Sequence, residues 1–147
     1  MKKIFTTNEN YTATIIRIVL GVILFPHGAQ KLLGWFGGYG FNGTMSFLTG
    51  AVGLPWILAF FVIIIEFFGS LALIFGFATR IAAVGIISLF TGIIFSTHLA
   101  NGFFINWSGQ QKGEGYEFHL LVIGIAVALL VSGAGKWSVD YALQKKK

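Results

Sequence analysis

The chain has 147 residues, of which 56% are hydrophobic and only 10% are charged. Soluble domains carry about 25% charged residues, so this composition excludes an ordinary water-soluble enzyme and a secreted globular protein. The absence of cysteine excludes disulfides and thiolate metal sites within this chain. The formal net charge of +5 is explained by contact with anionic lipid head groups and not by nucleic acid. The lipid bilayer is therefore the expected environment and partner of the protein.

Four apolar stretches approach the length of about 20 residues that a helix needs to cross the hydrocarbon core. They cover residues 13–33, 55–76, 81–99 and 117–131. Because the connection between the second and third stretches is very short, these two helices are predicted to form an antiparallel hairpin. We predict an all-α fold, in which residues 1–147 form one polytopic membrane domain, an antiparallel four-helix bundle.

Basic residues predict the orientation of this bundle, because loops rich in Lys and Arg stay on the cytoplasmic side. Most of them fall on one side of the four-span arrangement: Lys2, Lys3, Arg17, Arg80, Lys136, Lys145, Lys146 and Lys147. Both termini are therefore expected in the cytoplasm, with the protein crossing the inner (cytoplasmic) membrane several times.

Two outer loops follow from this orientation, at residues 34–54 and 100–116. Both are rich in glycine and aromatic residues, and aromatic rings favour the membrane interface. Within the first loop, Asn42 is predicted to cap a short helix over residues 44–48 that lies over the bundle as a lid. A disordered connector is the alternative.

Glu66 is the most informative charged residue, since a charge inside a membrane helix is costly and usually marks function. It lies midway between Pro55 and Gly76, which places it near the bilayer midplane. Small residues share its helix face and allow another helix to approach, so a buried partner is expected. The alternative is a neutral Glu66 that only fastens two helices together.

The first span supplies candidate partners for Glu66. His27 and Lys31 are four residues apart and share one helix face, and Pro26 is expected to kink the helix just before His27. A neighbouring stripe of the same helix, which should also face inward, consists of Arg17, Gly21, Leu24, Gly28 and Lys31.

Three more polar residues are expected at the same depth as the outer end of the first span. His98 lies near the outer end of the third span, and Glu117 and His119 open the fourth. Together with the first-span residues they predict a polar pocket that opens outward, above Glu66. A metal centre is disfavoured because Glu117 and His119 point to different sides of a helix. Covalent haem is excluded because the sequence has no C-x-x-C-H motif.

Two further features concern packing. On the cytoplasmic side, Arg17, Arg80 and Asp140 are candidates for an ion-pair cluster, with ordinary interfacial arginines and a solvated aspartate as the alternative. One face of the third span carries small residues that we interpret as a helix-packing seam: Gly85, Ser88, Gly92 and Ser96.

Several short motifs follow one another in a characteristic order. In chain order they are Arg17, His27-Gly28 with Lys31, Glu66 with Gly69, Gly76 with Thr79-Arg80, His98, Glu117, and Gly133-Ala-Gly-Lys-Trp-Ser with Asp140. This ordered set resembles the DoxX family of small bacterial and archaeal membrane proteins. The resemblance implies a four-helix membrane protein that is associated with redox chemistry. One relative is the membrane subunit of a thiosulfate:quinone oxidoreductase, and others are linked to thiol stress defence alongside soluble redox partners.

The leading hypothesis is a membrane component of a quinone-linked oxidoreductase system, whose outer pocket receives a quinone head group from the bilayer. The predicted catalytic residues are Glu66, His27, Lys31, His98 and Glu117, and the predicted cofactor-binding residues are His27, Lys31, Trp35, His98 and His119. In this scheme a lysine or histidine donor stabilises charge on the quinone oxygens, and the buried acid and the imidazoles relay protons.

Two other classes of function stay open. One is a proton-coupled carrier or channel for a small solute, expected as a homodimer because four helices enclose little volume. The other is a non-catalytic binding or assembly protein, in which the polar pocket only stabilises the bundle.

Overall fold

The computed structural model of the chain describes residue 7 and residues 9–145, and in that part of the chain it contains six α-helices and no strand. The helices are α1 (Tyr11–Leu33), α2 (Gly40–Ser46), α3 (Trp56–Phe75), α4 (Thr79–Ile93), α5 (Glu117–Ser132) and α6 (Val139–Lys145). A π-helical turn, Phe47–Ala51, follows α2, and α4 continues through a second π-helical turn, Ile94–His98, into a 3-10 turn, Leu99–Asn101. Four basic residues used to predict the orientation lie outside the described residues: Lys2, Lys3, Lys146 and Lys147.

Three helical segments are long and apolar enough to cross a membrane: Tyr11–Leu33, Trp56–Phe75 and Thr79–Asn101. Each begins and ends close to one of the predicted apolar stretches, because a long apolar run is the strongest helix signal in a membrane protein. The fourth predicted stretch forms α5, an apolar helix that is shorter, at 16 residues.

The four long helices contact one another in a closed order: α1 packs along α3, α3 against α4, α4 along α5, and α5 against α1. Their shared core contains aliphatic side chains such as Leu24, Ile86 and Leu129. On the outside, large apolar side chains are exposed along every one of these helices; Phe95 is 70% exposed and Leu121 is 65% exposed. Apolar surface on this scale indicates a membrane environment.

The hairpin between α3 and α4 is present as predicted. Gly76 ends α3 in the left-handed conformation, with φ at 67°, and Ala78 precedes α4 with φ at 48°. No side chain from within this turn caps α4. Asp140 of α6 does so instead, because its carboxylate accepts hydrogen bonds from the backbone N–H groups of Ala78 and Thr79, at 2.8 and 2.9 Å.

Arg17 is completely buried at the same end of the molecule. Its guanidinium donates to the carbonyl oxygens of Leu73, Ile74, Ala134 and Trp137. These acceptors include carbonyls at the C-terminal end of α3, where the helix dipole favours a cation.

The structure brings Arg17 and Asp140, two members of the predicted ion-pair cluster, close enough to interact electrostatically. Their hydrogen bonds go to the backbone: carbonyls accept from Arg17, and N–H groups donate to Asp140. The alternative of a solvated aspartate is wrong, because Asp140 is only 2% exposed. Arg80 contacts the chain as well, donating to the carbonyl of Val131 at 3.0 Å.

The first outer loop is helical over the predicted residues 44–48, but the helix begins earlier and is not capped as predicted. The helix α2 covers Gly40–Ser46, so Asn42 lies inside it and does not cap it. Met45 is buried against Ala59 and Ile63 of α3, which holds this segment on the bundle. A disordered connector is therefore the wrong alternative.

Candidate functional site

A cavity of about 610 Å³ lies between the C-terminal half of α1, the middle of α3 and the neighbouring ends of α4 and α5. Its ionisable lining residues are His27, Lys31, Glu66, His98, Glu114 and His119. The remaining wall is mostly apolar and includes Phe47, Leu48, Phe90 and Phe118. The fold thus brings five predicted site residues from four helical segments around one space.

Lys31 and Glu66 form an ion pair across the α1–α3 interface, with 2.8 Å between Lys31 Nζ and Glu66 Oε2. The Glu66 side chain is 5% exposed and that of Lys31 is 28% exposed. Glu66 thus has a partner, as predicted, but this partner, Lys31, is half-buried and not buried. Burying such a pair gives little net stability, so its position in a membrane helix points to function.

Gly28 allows this ion pair to form, because it brings the backbones of α1 and α3 together. A Cβ atom at Gly28 would lie 2.6 Å from the Cα atom of Phe67 and 2.8 Å from the carbonyl carbon of Glu66. No side chain fits there. The glycine that follows His27 therefore sets the separation of α1 and α3 one turn before Lys31.

His98 and His119 form a second polar group in the cavity, with ring centroids 4.2 Å apart. His98 Nδ1 lies 2.7 Å from the carbonyl oxygen of Glu114. A carbonyl can only accept a hydrogen bond, so His98 Nδ1 carries the proton and His98 Nε2 is left as an acceptor.

His119 is buried, with 8% of its surface exposed. Its Nδ1 atom has no hydrogen-bond partner among the described residues. Phe90 and Phe118 lie beside the ring, with centroids 5.6 and 5.9 Å away. Buried polar atoms are normally paired, so the unpaired nitrogen of this cavity-lining residue is unusual.

Glu114 is a cavity residue that sequence reasoning missed. Besides accepting from His98, it anchors the second outer loop, because its Oε2 atom accepts from the backbone N–H of Asn106 at 2.8 Å. An acidic residue in a glycine-rich loop that follows a histidine-bearing helix is the signal that could have found it. Of the described residues predicted for the site, Trp35 and Glu117 do not line this cavity. Trp35 instead lies just beyond the end of α1 and is 54% exposed.

His27 lines the cavity but is otherwise exposed. Its backbone carbonyl, which follows Pro26, lies 3.5 Å from Lys31 Nζ. Within residue 7 and residues 9–145, no three His, Cys, Asp or Glu side chains are grouped closely enough to hold a metal ion.

Comparison with known proteins gives two kinds of match. The family model described as DoxX matches residues 12–99. The chain is 30% identical over 148 aligned positions to the inner membrane protein YqjF of Escherichia coli (strain K12), with 99% of each chain covered. It is 29% identical over 133 positions to a Bacillus subtilis (strain 168) protein named "Putative oxidoreductase CatD", covering 90% of this chain and 87% of that one. No solved structure matches the chain.

Proposed function

The chain belongs to the DoxX family, and on that basis we propose that it is the membrane component of a redox system whose cavity binds a quinone head group. One observation carries this proposal. The ion pair of Lys31 and the buried Glu66 shares a cavity of mostly apolar wall with the imidazoles of His98 and His119.

The cavity has the composition and size expected for a small amphiphilic ligand. Sites for such ligands are mostly apolar, with a few convergent polar groups, and have volumes of about 300–1,000 Å³. This cavity, at about 610 Å³, falls within that range. The name of the Bacillus subtilis relative, which includes the word oxidoreductase, supports the redox assignment.

When bound, a quinone supplies two carbonyl oxygens that take up two electrons and two protons, the electrons coming from a soluble redox protein. Lys31 places a positive charge where negative charge develops on one oxygen, which favours reduction. His119 and His98 line the same space, and their role in the proposal is to hold or pass a proton there. Glu66 orients Lys31 through the ion pair and takes part in proton transfer as the buried acid.

Two predicted roles change in this proposal. Stacking on the quinone ring falls to cavity residues such as Phe90 and Phe118, because Trp35 does not line the cavity. Glu117 stands at the first turn of α5, half-buried and outside the cavity. We propose that it serves only as an exit for protons toward the outer face.

We also propose the orientation that the basic residues predict, with four antiparallel membrane-spanning helices and both termini in the cytoplasm. The protein then lies in the inner membrane, and the cavity opens toward the outer leaflet. Reporter fusions after Ser132 and after Trp107 test this arrangement. Activity of the Trp107 fusion only in the cytoplasm would contradict it.

Binding of a defined quinone tests the functional proposal. The purified protein in lipid nanodiscs is titrated with a ubiquinone that carries a short isoprenoid tail, and binding is followed by calorimetry. We expect Lys31→Met to weaken binding about tenfold or more, as loss of a charged hydrogen-bond partner does. Lys112→Met, in the exposed outer loop, is the matched control and is expected to bind normally. Absence of binding by the unaltered protein would refute the proposal.

A proton-coupled solute carrier is the second candidate, because the Lys31–Glu66 pair is buried within the membrane-spanning helices. In that case Glu66→Gln abolishes proton-driven uptake into liposomes and leaves quinone binding unaffected. If neither activity is found, a binding or assembly role remains.

A further inference from the structure

A groove runs along the outer face of the α3–α4 hairpin. Its inner part has a volume of about 610 Å³ and is bounded by residues such as Phe68, Phe75 and Ile81. Its outer part has a volume of about 210 Å³ and is bounded by residues such as Leu58 and Leu89. Ile65 lines both parts, so the two adjoin along the hairpin.

The groove adjoins the cavity described above. Leu54, Val62, Ile93 and Ser96 line both the cavity and the outer part of the groove. The cavity contains the buried His119, whose Nδ1 atom has no partner among the described residues. A polar space at the outer end therefore lies directly beside an apolar groove along α3 and α4.

Side chains of the described residues leave the groove open at Gly92. A Cβ atom added at Gly92 would meet nothing within 4 Å, whereas one at Gly85 would lie 3.3 Å from Ile65. The interpretation of this face as a packing seam is thus confirmed at Gly85 and wrong at Gly92. At Gly92 the small residue leaves room for something outside this part of the chain.

We propose that the groove binds the apolar tail of the ligand whose head group occupies the cavity. The ligand class is then a quinone with an isoprenoid tail, which enters sideways from the bilayer between α3 and α4. The segment from Ile81 to Ser96 is about 22 Å long at 1.5 Å per residue, most of the hydrocarbon thickness of about 30 Å, so it accommodates several isoprene units. This inference rests on the proposed function, since it takes a quinone head group in the cavity as given.

This inference is tested by varying the length of the quinone tail together with the shape of the groove. The ubiquinone head group is used with no tail, with two isoprene units and with four, and each affinity is expressed per quinone present in the nanodisc membrane. On this scale, a longer-tailed quinone does not bind more tightly merely because more of it partitions into the lipid. We expect affinity to increase with tail length for the unaltered protein.

Gly92→Leu is the diagnostic variant, because it fills the groove without meeting any atom of the folded chain. We expect it to weaken binding of the longest quinone about tenfold, the discrimination that one fitted methylene group provides, and to leave the tail-less head group unaffected. Gly124→Leu is the matched control, since Gly124 on α5 also has open space around its Cβ position and lines neither the cavity nor the groove.

The outcomes separate this inference from the proposed function. If no quinone binds, both are refuted. If quinones bind with the same affinity whatever the tail, or if Gly92→Leu and Gly124→Leu behave alike, the cavity assignment stands and the groove assignment is overturned. If Gly92→Leu instead separates a dimer into monomers in light scattering, a second copy of the chain occupies the groove, which also overturns it.

Discussion

Removing one charge of the Lys31–Glu66 pair should cost more stability than removing both. Lys31→Met leaves Glu66 buried without its cation, and Glu66→Gln leaves Lys31 without its anion. The double variant Lys31→Met/Glu66→Gln removes both charges and keeps the approximate volume of both side chains. A double-mutant cycle therefore measures how strongly the two charges are coupled.

The magnitude follows from the geometry of the pair. Opposite charges 2.8 Å apart attract by about 6 kcal/mol at an effective dielectric constant of about 20, and desolvation offsets most of this. Loss of one partner of a buried pair costs about 3–5 kcal/mol. Because Lys31 keeps 28% of its surface exposed, we expect about 3 kcal/mol for Lys31→Met. The double variant should lose only about 1 kcal/mol, since no unpaired charge remains.

Unfolding by sodium dodecyl sulfate in mixed micelles provides the assay, with the intrinsic fluorescence of the four tryptophans as the signal. Lys112→Met is the control for loss of a lysine and should leave the free energy of unfolding within about 0.5 kcal/mol. Additive losses from the two single variants would show that the charges are not coupled. That result would refute both the ion pair and its role in the cavity.

Three further predictions use the same unfolding assay. Gly28→Ala should lower the free energy of unfolding by about 1–3 kcal/mol, because the added methyl group meets the α3 backbone. Gly92→Ala should leave the free energy of unfolding unchanged or raise it by about 0.5–1 kcal/mol. Asp140→Ala should cost about 3 kcal/mol by leaving two buried N–H groups at the start of α4 without an acceptor, and Asp140→Asn should recover part of this loss. His119→Phe should leave stability unchanged or raised, because it removes an unpaired buried nitrogen. It should also weaken quinone binding about tenfold, or about 1.4 kcal/mol.

Each of these predictions has a contradicting result. Equal effects of alanine at Gly28 and Gly92 would show that α1 and α3 are not in close backbone contact at Gly28. A stable Asp140→Ala variant would show that α4 does not depend on its cap from α6. Normal quinone binding by His119→Phe would remove that imidazole from the proposed site.

Much of the fold could be predicted because its determinants are local. Long apolar runs fix the membrane-length helices, and the short connection after Gly76 fixes the hairpin. The inward direction of the Arg17 to Lys31 stripe was also predictable, because residues three and four apart share a helix face. Arg17, Leu24 and Gly28 are all buried.

The site was predictable only as far as the position of each residue along its helix determines it. This position placed His27, Lys31, His98 and His119 at one level across the membrane, and the structure brings them to one cavity. It does not determine how a helix is rotated about its axis or which path a loop takes, so Glu117 was included and Glu114 was missed. The sequence placed Asp140 on the same side as Arg80, but it could not show that the Asp140 carboxylate caps α4 at Ala78 and Thr79.

The burial of Arg17 links the biogenesis of the protein to the order in which its chain is synthesised. The acceptors of its guanidinium lie 56 to 120 residues further along the chain, at the end of α3 and at Ala134 and Trp137. While the first helix is being synthesised, none of these carbonyls exists yet, so water or another polar group must solvate the cation. The guanidinium reaches all of its acceptors only after synthesis has passed Trp137, and a product truncated at Ser132 lacks two of the four.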